Sequence, residues 1–292
     1  MKKDLLVPVL LTLGLLAGCG VPAGEAVTPF PAPPEESVPP ADSVEMTCRI
    51  VDGAEAGVLM LAEVENGPYD GGGVYSFAVG ETPVWIDGER KTAADLTDGM
   101  LVTVCWNGMV AESYPAQLGE TYSLRAESAD TDDHCGLYLQ VLSDLWDASN
   151  GLNEGVEELG VDLSGVPGLT PSERSAIAWA FGQDHGLFPV EGTLEELREQ
   201  GYLTPMAEPA EGDADSLAYY QWEKGCHFSI DVDEDAVWSL PMLTEGEEPP
   251  ELVAFDARKW RSGLGAYFFD DCTAQRGEDG TWTYTVGAEM IS

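Results

Sequence analysis

The stretch Leu101-Val-Thr-Val-Cys-Trp-Asn107-Gly108-Met-Val-Ala-Glu-Ser113 carries the clearest structural instruction in the chain. A β-favouring run, residues 101–106, meets a second one, residues 109–113, across Asn107-Gly108. Both turn residues tolerate positive φ, which a two-residue turn between twisted strands requires, so the spacing predicts a β-hairpin. Runs of the same kind recur at residues 47–51, 58–64, 74–79, 83–86 and 122–125. Asp70-Gly71-Gly72-Gly73 and Asp87-Gly88 read as turns between them, and residues 92–96 suit one helical turn. Many short strands with one small helix predict a small closed, OB-like barrel over residues 46–127.

Within it, residues 102–117 place a glycine hairpin before Glu112-Ser113-Tyr114-Pro115-Ala116-Gln117. This segment resembles a small β-barrel domain of uncharacterised Gram-positive lipoproteins. The resemblance implies a fold and a cellular address but no catalytic residues. OB-like barrels that take single-stranded nucleic acid present a basic, aromatic face. Here only Arg49, Arg90, Lys91 and Arg125 stand among many acids, which excludes nucleic acid as a partner.

After the acidic, polar residues 127–134 the pattern changes to helices. Tyr138, Val141, Leu142, Leu145 and Trp146 recur at helical spacing. Thr170-Pro171-Ser172-Glu173 is a capping box with proline in the first turn, and Thr193-Leu-Glu-Glu196 repeats the box. Beyond Leu217 strands return, residues 217–223 and 226–232 around Lys224-Gly225, then 266–272 and 281–286 around Asp279-Gly280. Helices followed by hairpins predict an α+β domain over residues 135–292, its helices packed on one face of an antiparallel sheet. The fold class expected is therefore multi-domain.

The N-terminus states an address. Lys2 and Lys3 precede an apolar run, residues 5–16, that is shorter than the roughly 20 residues of a spanning helix. The run ends in Leu16-Ala17-Gly18-Cys19, which resembles the lipobox of bacterial lipoproteins. That resemblance implies that residues 1–18 are a signal peptide, that Cys19 is acylated, and that the lipid holds the mature chain on the outer face of the cell membrane. Residues 19–45, with seven prolines, read as a spacer that cannot bury a core. The whole chain has 53 acidic and 13 basic residues, a net charge of −40, which repels nucleic acid and anionic lipid.

No catalytic or metal-binding motif stands out, and no cofactor is implied. His227, Ser229 and Asp231 supply the residue types of a hydrolase triad, but alternate strand residues lie about 6.5–7 Å apart, so a polar outer face is expected. Asp231, Asp233 and Asp235 open like a calcium loop that lacks its glycine, with Ala236 there, and its terminal glutamate, with Met242 there. Gly71-Gly72-Gly73 lacks the lysine of a phosphate loop. His134, His185 and His227 are scattered. Cys48, Cys105, Cys135, Cys226 and Cys272 leave their disulfide state open, Cys48–Cys105 and Cys226–Cys272 being pairs that strands could juxtapose.

One cluster departs from the acidic background. Arg258, Lys259 and Arg261 surround Trp260 just before Ser262-Gly263-Leu264-Gly265. Arginine binds carboxylate or phosphate through two parallel hydrogen bonds, which suits an anionic wall component or an acidic envelope partner; the competing reading is neutralisation of the chain's own acids. Three function classes follow. The leading one is a non-enzymatic lipoprotein that binds a ligand or partner or senses the envelope. The others are an envelope hydrolase or transferase using unidentified carboxylates, and a structural or assembly lipoprotein.

Overall fold

The computed structural model describes residues 39–207, 216–236 and 251–292. Residues 1–18, expected to be a signal peptide, Cys19, residues 20–38 of the expected spacer and Met242 lie outside the described residues. Two large sheets and a few helices make up the rest, a β-rich architecture.

The first sheet holds β1 (Val44–Asp52), β2 (Val58–Glu65), β3 (Val74–Ala78), β4 (Val84–Ile86), β5 (Glu89–Lys91), β6 (Leu101–Trp106), β7 (Val110–Ala111), β8 (Ala116–Leu118) and β9 (Thr121–Ala126). Their order is β5-β4-β9-β6-β1-β2-β3-β8-β7. Alternate residues Met46, Cys48 and Ile50 of β1 face Leu61, Val102, Val104 and Leu124 in one core, with Tyr75 and Trp106 fully buried beside them. The expected hairpin at Asn107-Gly108 is absent. Both edges of β6 are taken, by β1 and β9, so β7 leaves to pair with β8. The Asn107 side chain instead accepts from the Met109 amide at 3.0 Å, a local turn. The two-residue hairpin lies at Asp87-Gly88, between β4 and β5, with φ of 54° and 73°.

The glycine run after β2 has a definite physical cause. Glu63 is fully buried, and its carboxylate accepts from the Tyr75 hydroxyl at 2.5 Å and the Gly71 amide at 2.8 Å. A Cβ at Gly67 would lie 2.2 Å from Glu63 Cδ, and one at Gly73 2.4 Å from Glu63 Oε2. The loop is glycine-rich because it wraps a buried carboxylate.

The second sheet comprises β10 (Glu158–Asp162), β11 (Pro189–Glu191), β12 (Thr204–Pro205), β13 (Tyr220–Gln221), β14 (Gly225–Val232), β15 (Leu252–Ser262), β16 (Gly265–Arg276), β17 (Trp282–Thr285) and β18 (Ala288–Ile291). It is mixed where an antiparallel sheet was expected. β10 runs parallel to both β11 and β14, and the ladders from β14 onward are antiparallel. Parallel neighbours need a crossover, supplied between β10 and β11 by α2 (Pro171–Asp184). With α1 (His134–Asp147), it packs on one face of the sheet, where Leu142, Leu145, Phe181, Phe228 and Phe255 share a core. The short α3 (Leu194–Glu199) covers the other face with Leu197, Trp222 and Trp260, so the helices are not confined to one side. Lys224-Gly225 forms no hairpin either. β13 pairs with β12 and β15 instead of β14, and the Trp222 ring lies where a Cβ on Gly225 would stand, 2.0 Å from its Cε2. The β16–β17 hairpin containing Asp279-Gly280 forms as expected.

Among the described residues no helix is long and apolar enough to cross a membrane. Val51, Ala62 and Val74 of the first sheet join the core of α1 and α2, so the two sheets meet through buried apolar contact. Glu63→Gln should therefore loosen the first sheet. It sets an amide against donors that a carboxylate accepts, at a cost of about 1–3 kcal/mol. A lower urea midpoint with an unchanged slope is the expected reading.

Candidate functional site

Four side chains meet where α1 and α2 reach the first sheet. The capping box at Thr170 forms, with Glu173 Oε2 accepting from the Thr170 amide at 2.8 Å. Its other oxygen, Oε1, accepts from Arg49 Nε at 2.7 Å and lies 3.3 Å from His134 Nε2. Arg49 also donates to the carbonyls of Gly99 and Asp132, and Asp132 Oδ2 lies 3.0 Å from His134 Nδ1. Burial alone would push the His134 imidazolium down, but the hydrogen bond to Asp132 and the nearby Cys135 and Glu173 outweigh it and raise its pKa to about 11. Burial likewise works against Glu173 and Asp132, yet their partners, His134 above all, hold both near 2. Next to them Asp133 caps α1 through the Gly136 amide, and burial raises it to about 6.

A ring nitrogen of His134, Cys135 Sγ and a Glu173 oxygen lie within 4.8 Å of one another, a donor set that could hold a metal. The residues present do not fit one. The guanidinium of Arg49 already bonds Glu173 and supplies the positive charge that an ion would bring. This is a buried ionic junction, invisible to sequence because Arg49 and Glu173 stand 124 residues apart.

The basic cluster is split by strand alternation. Lys259 is wholly buried, donating to the Trp146 and Ala148 carbonyls at 2.9 and 2.8 Å, at the C-terminal end of α1. There it satisfies orphan acceptors and complements the helix dipole, with the rings of Trp146 and Phe228 within 6 Å. Burial lowers its pKa to about 8. Arg261 donates to the carbonyls of Leu152, Glu154 and Glu223. Arg258, exposed on the other face, lies over the Phe268 ring. The three do not converge on a common anion position.

His227, Ser229 and Asp231 do not form a polar outer face as expected. His227 is 1 % exposed because α3 lies over it, and its Nε2 donates to the Gly192 carbonyl at 2.9 Å rather than to Ser229. Asp233 accepts from the Asp235 amide in a local turn. All five described cysteines are buried and unpaired.

A cleft opens at the carboxyl ends of β10 and β11, the edge where open sheets with parallel strands present ligands. Of about 200 Å³, it is lined by Asp162, Ser164, Arg174, Glu191, Gly192 and Glu196 among others. Asp162 Oδ1 accepts from the Ser164 hydroxyl at 2.6 Å, and Glu191 Oε2 from the Ser175 hydroxyl at 3.0 Å. Glu191 lies at an exposed position, yet partial desolvation of its carboxyl at the cleft wall holds it above the usual carboxylate range, while Arg174 Nε is buried without a partner. Three carboxylates against one guanidinium leave the cleft negative. Sequence reasoning missed it because its residues come from β10, β11, α2 and α3, and only a parallel pairing unites them.

The junction sets a pH dependence. The raised His134 value stabilises fully below its unfolded value of about 6.5 and loses that contribution as pH rises toward about 11. Glu173 and Asp132, depressed, contribute above about 4.5 and lose it as pH falls toward 2. The stability advantage of the native chain over His134→Gln should therefore shrink by about 2 kcal/mol between pH 6.5 and 8.5 in urea titrations. An advantage constant across that range would show a neutral His134. No protein-family model, curated protein or solved structure matches this chain.

Proposed function

We propose that this chain is a lipid-anchored binding protein of the outer face of the bacterial cell membrane, and that the cleft at the carboxyl ends of β10 and β11 is its binding site. Cys19 is the residue to be acylated, and the proline-rich spacer carries the folded part away from the bilayer. The first sheet is read as an OB-like barrel, supported by its single inward-facing core, and the second part as an α+β domain. The observation that carries the binding reading is the cleft itself, a concave, charged site with an unpartnered guanidinium nitrogen. It is preferred over the hydrolase reading because the carboxylates of Asp162 and Glu191 are each engaged by a neighbouring serine hydroxyl.

Two measurements test this. Cys19→Ala should abolish incorporation of labelled fatty acid and leave the precursor unprocessed; labelled, mature-sized mutant protein would overturn the address. Asp162→Asn with Glu196→Gln should strip the native protein of small molecules that co-purify from envelope extract, read by mass spectrometry, with melting temperature nearly unchanged. The same molecules retained at the same level would remove the cleft as the site.

A further inference from the structure

An aromatic ledge adjoins the cleft. Phe188 is 75 % exposed and Tyr114 52 % exposed, and both touch Trp179 of α2. Tyr114 and Trp179 meet edge to face at 5.0 Å, and Trp179 and Phe188 lie tilted at 5.6 Å. Among the described residues, no other exposed aromatic is joined through ring contacts to a second exposed one. The ledge and cleft share one helix. Arg174 and Ala178 line the cleft, while the neighbouring stripe, Ser175 and Trp179, faces the ledge. Ser175, on the stripe of the ledge, links the two, as its hydroxyl donates to Glu191 of the cleft.

The ledge is held rather than loose. The Leu187 amide donates to the Gly182 carbonyl at 2.8 Å, and a Cβ on Gly182 would lie 2.7 Å from both Leu187 O and Pro189 Cδ. The backbone on either side of Phe188 is thus packed against α2, yet its ring is left in solvent. An apolar surface kept open at a fixed position points to an occupant.

Its chemistry follows from charge. The faces of aromatic rings are electron-rich and attract cations, most strongly where water is excluded. Glu191 is tied through Ser175 to the stripe that carries Trp179, the cleft beyond it carries two more carboxylates, and the chain as a whole has a net charge of −40. A neutral apolar ligand would use the rings and leave the carboxylates idle, whereas a metal ion would use the carboxylates and leave the rings. An ammonium group on an apolar stem uses both. We propose that the ledge and Glu191 bind the alkylammonium group of a small organic cation, the remainder of which enters the cleft. This rests on the cleft being the binding site and names the ligand class for it.

The test compares choline with its neutral carbon isostere, 3,3-dimethylbutan-1-ol, by calorimetric and NMR titration of the soluble chain in 150 mM salt. Choline should bind, the isostere at least tenfold more weakly. Phe188→Ala and Glu191→Gln, both at exposed positions, should each weaken choline about three- to tenfold without moving the melting temperature. Equal binding of choline and isostere, full competition by Mg²⁺, tighter binding of chitotriose than of choline, or indifference to both substitutions would each overturn the proposal. Absence of choline binding would also overturn it. If envelope molecules were then still lost on Asp162→Asn with Glu196→Gln, only the ligand class would fall and the cleft would stand.

Discussion

The carboxylate of Glu173 joins the helices to the first sheet. One oxygen closes the capping box of α2, and the other meets Arg49 from β1 with His134 of α1 beside it. Helix initiation and the meeting of the two sheets are thus one interaction. Taking such a group out of water is costly, and a single counter-ion rarely compensates for it. Two cationic partners and an amide do so here, and the main-chain carbonyls of Gly99 and Asp132 fix the guanidinium. Ser172, one residue earlier, donates to the Glu63 carbonyl at 2.5 Å, so the first turn of α2 is bonded to β2 as well as β1. The register between the halves is set by hydrogen bonds with direction, while Val51, Ala62 and Val74 add apolar contact that lacks it.

The same scarcity of positive charge explains how the bases are used. With 13 bases against 53 acids, surface pairing could never balance the chain. Lys259 and Arg261 instead close carbonyls around the end of α1 and the loop that follows, and Arg276 bonds the Thr131 carbonyl. Bases placed against main-chain acceptors order loops that have no ladder of their own. The acids left uncompensated give the chain its negative field, which at the cleft only Arg174 offsets.

What could be read from sequence was what the chain decides locally. The boxes at Thr170 and Thr193 form because cap and partner lie three residues apart, and Asp87-Gly88 makes its hairpin because the flanking strands are free to pair. Asn107-Gly108 and Lys224-Gly225 carry comparable turn signals and fail. The edges that such hairpins would use are occupied by strands distant in the chain, β1 and β9 in one case and β10 and β15 in the other. Parallel pairing has no local signature, so the edge that creates the cleft could not be anticipated. The alternation of β15 explains the basic cluster: three bases within four residues must divide between two faces.

The cleft and ledge inherit their rigidity from these constraints. α2 is fixed at its start by Glu173 and Ser172, and at its end by the close approach of Leu187 and Pro189 to Gly182. Between those anchors lie Arg174, Ser175, Ala178 and Trp179, which border the cleft or the ledge. Tyr114 reaches the same rings from the loop between β7 and β8, so the ledge has one wall from each half of the molecule. Side chains held this way lose little freedom on binding, and ordering cost is a main term opposing association. The junction and the ledge therefore share one helix: a change that loosens the pairing of Arg49 with Glu173 should free the start of α2, the helix that carries Trp179 to Tyr114. The binding proposed at the ledge should depend on the salt bridge between Arg49 and Glu173, which the ligand would not touch.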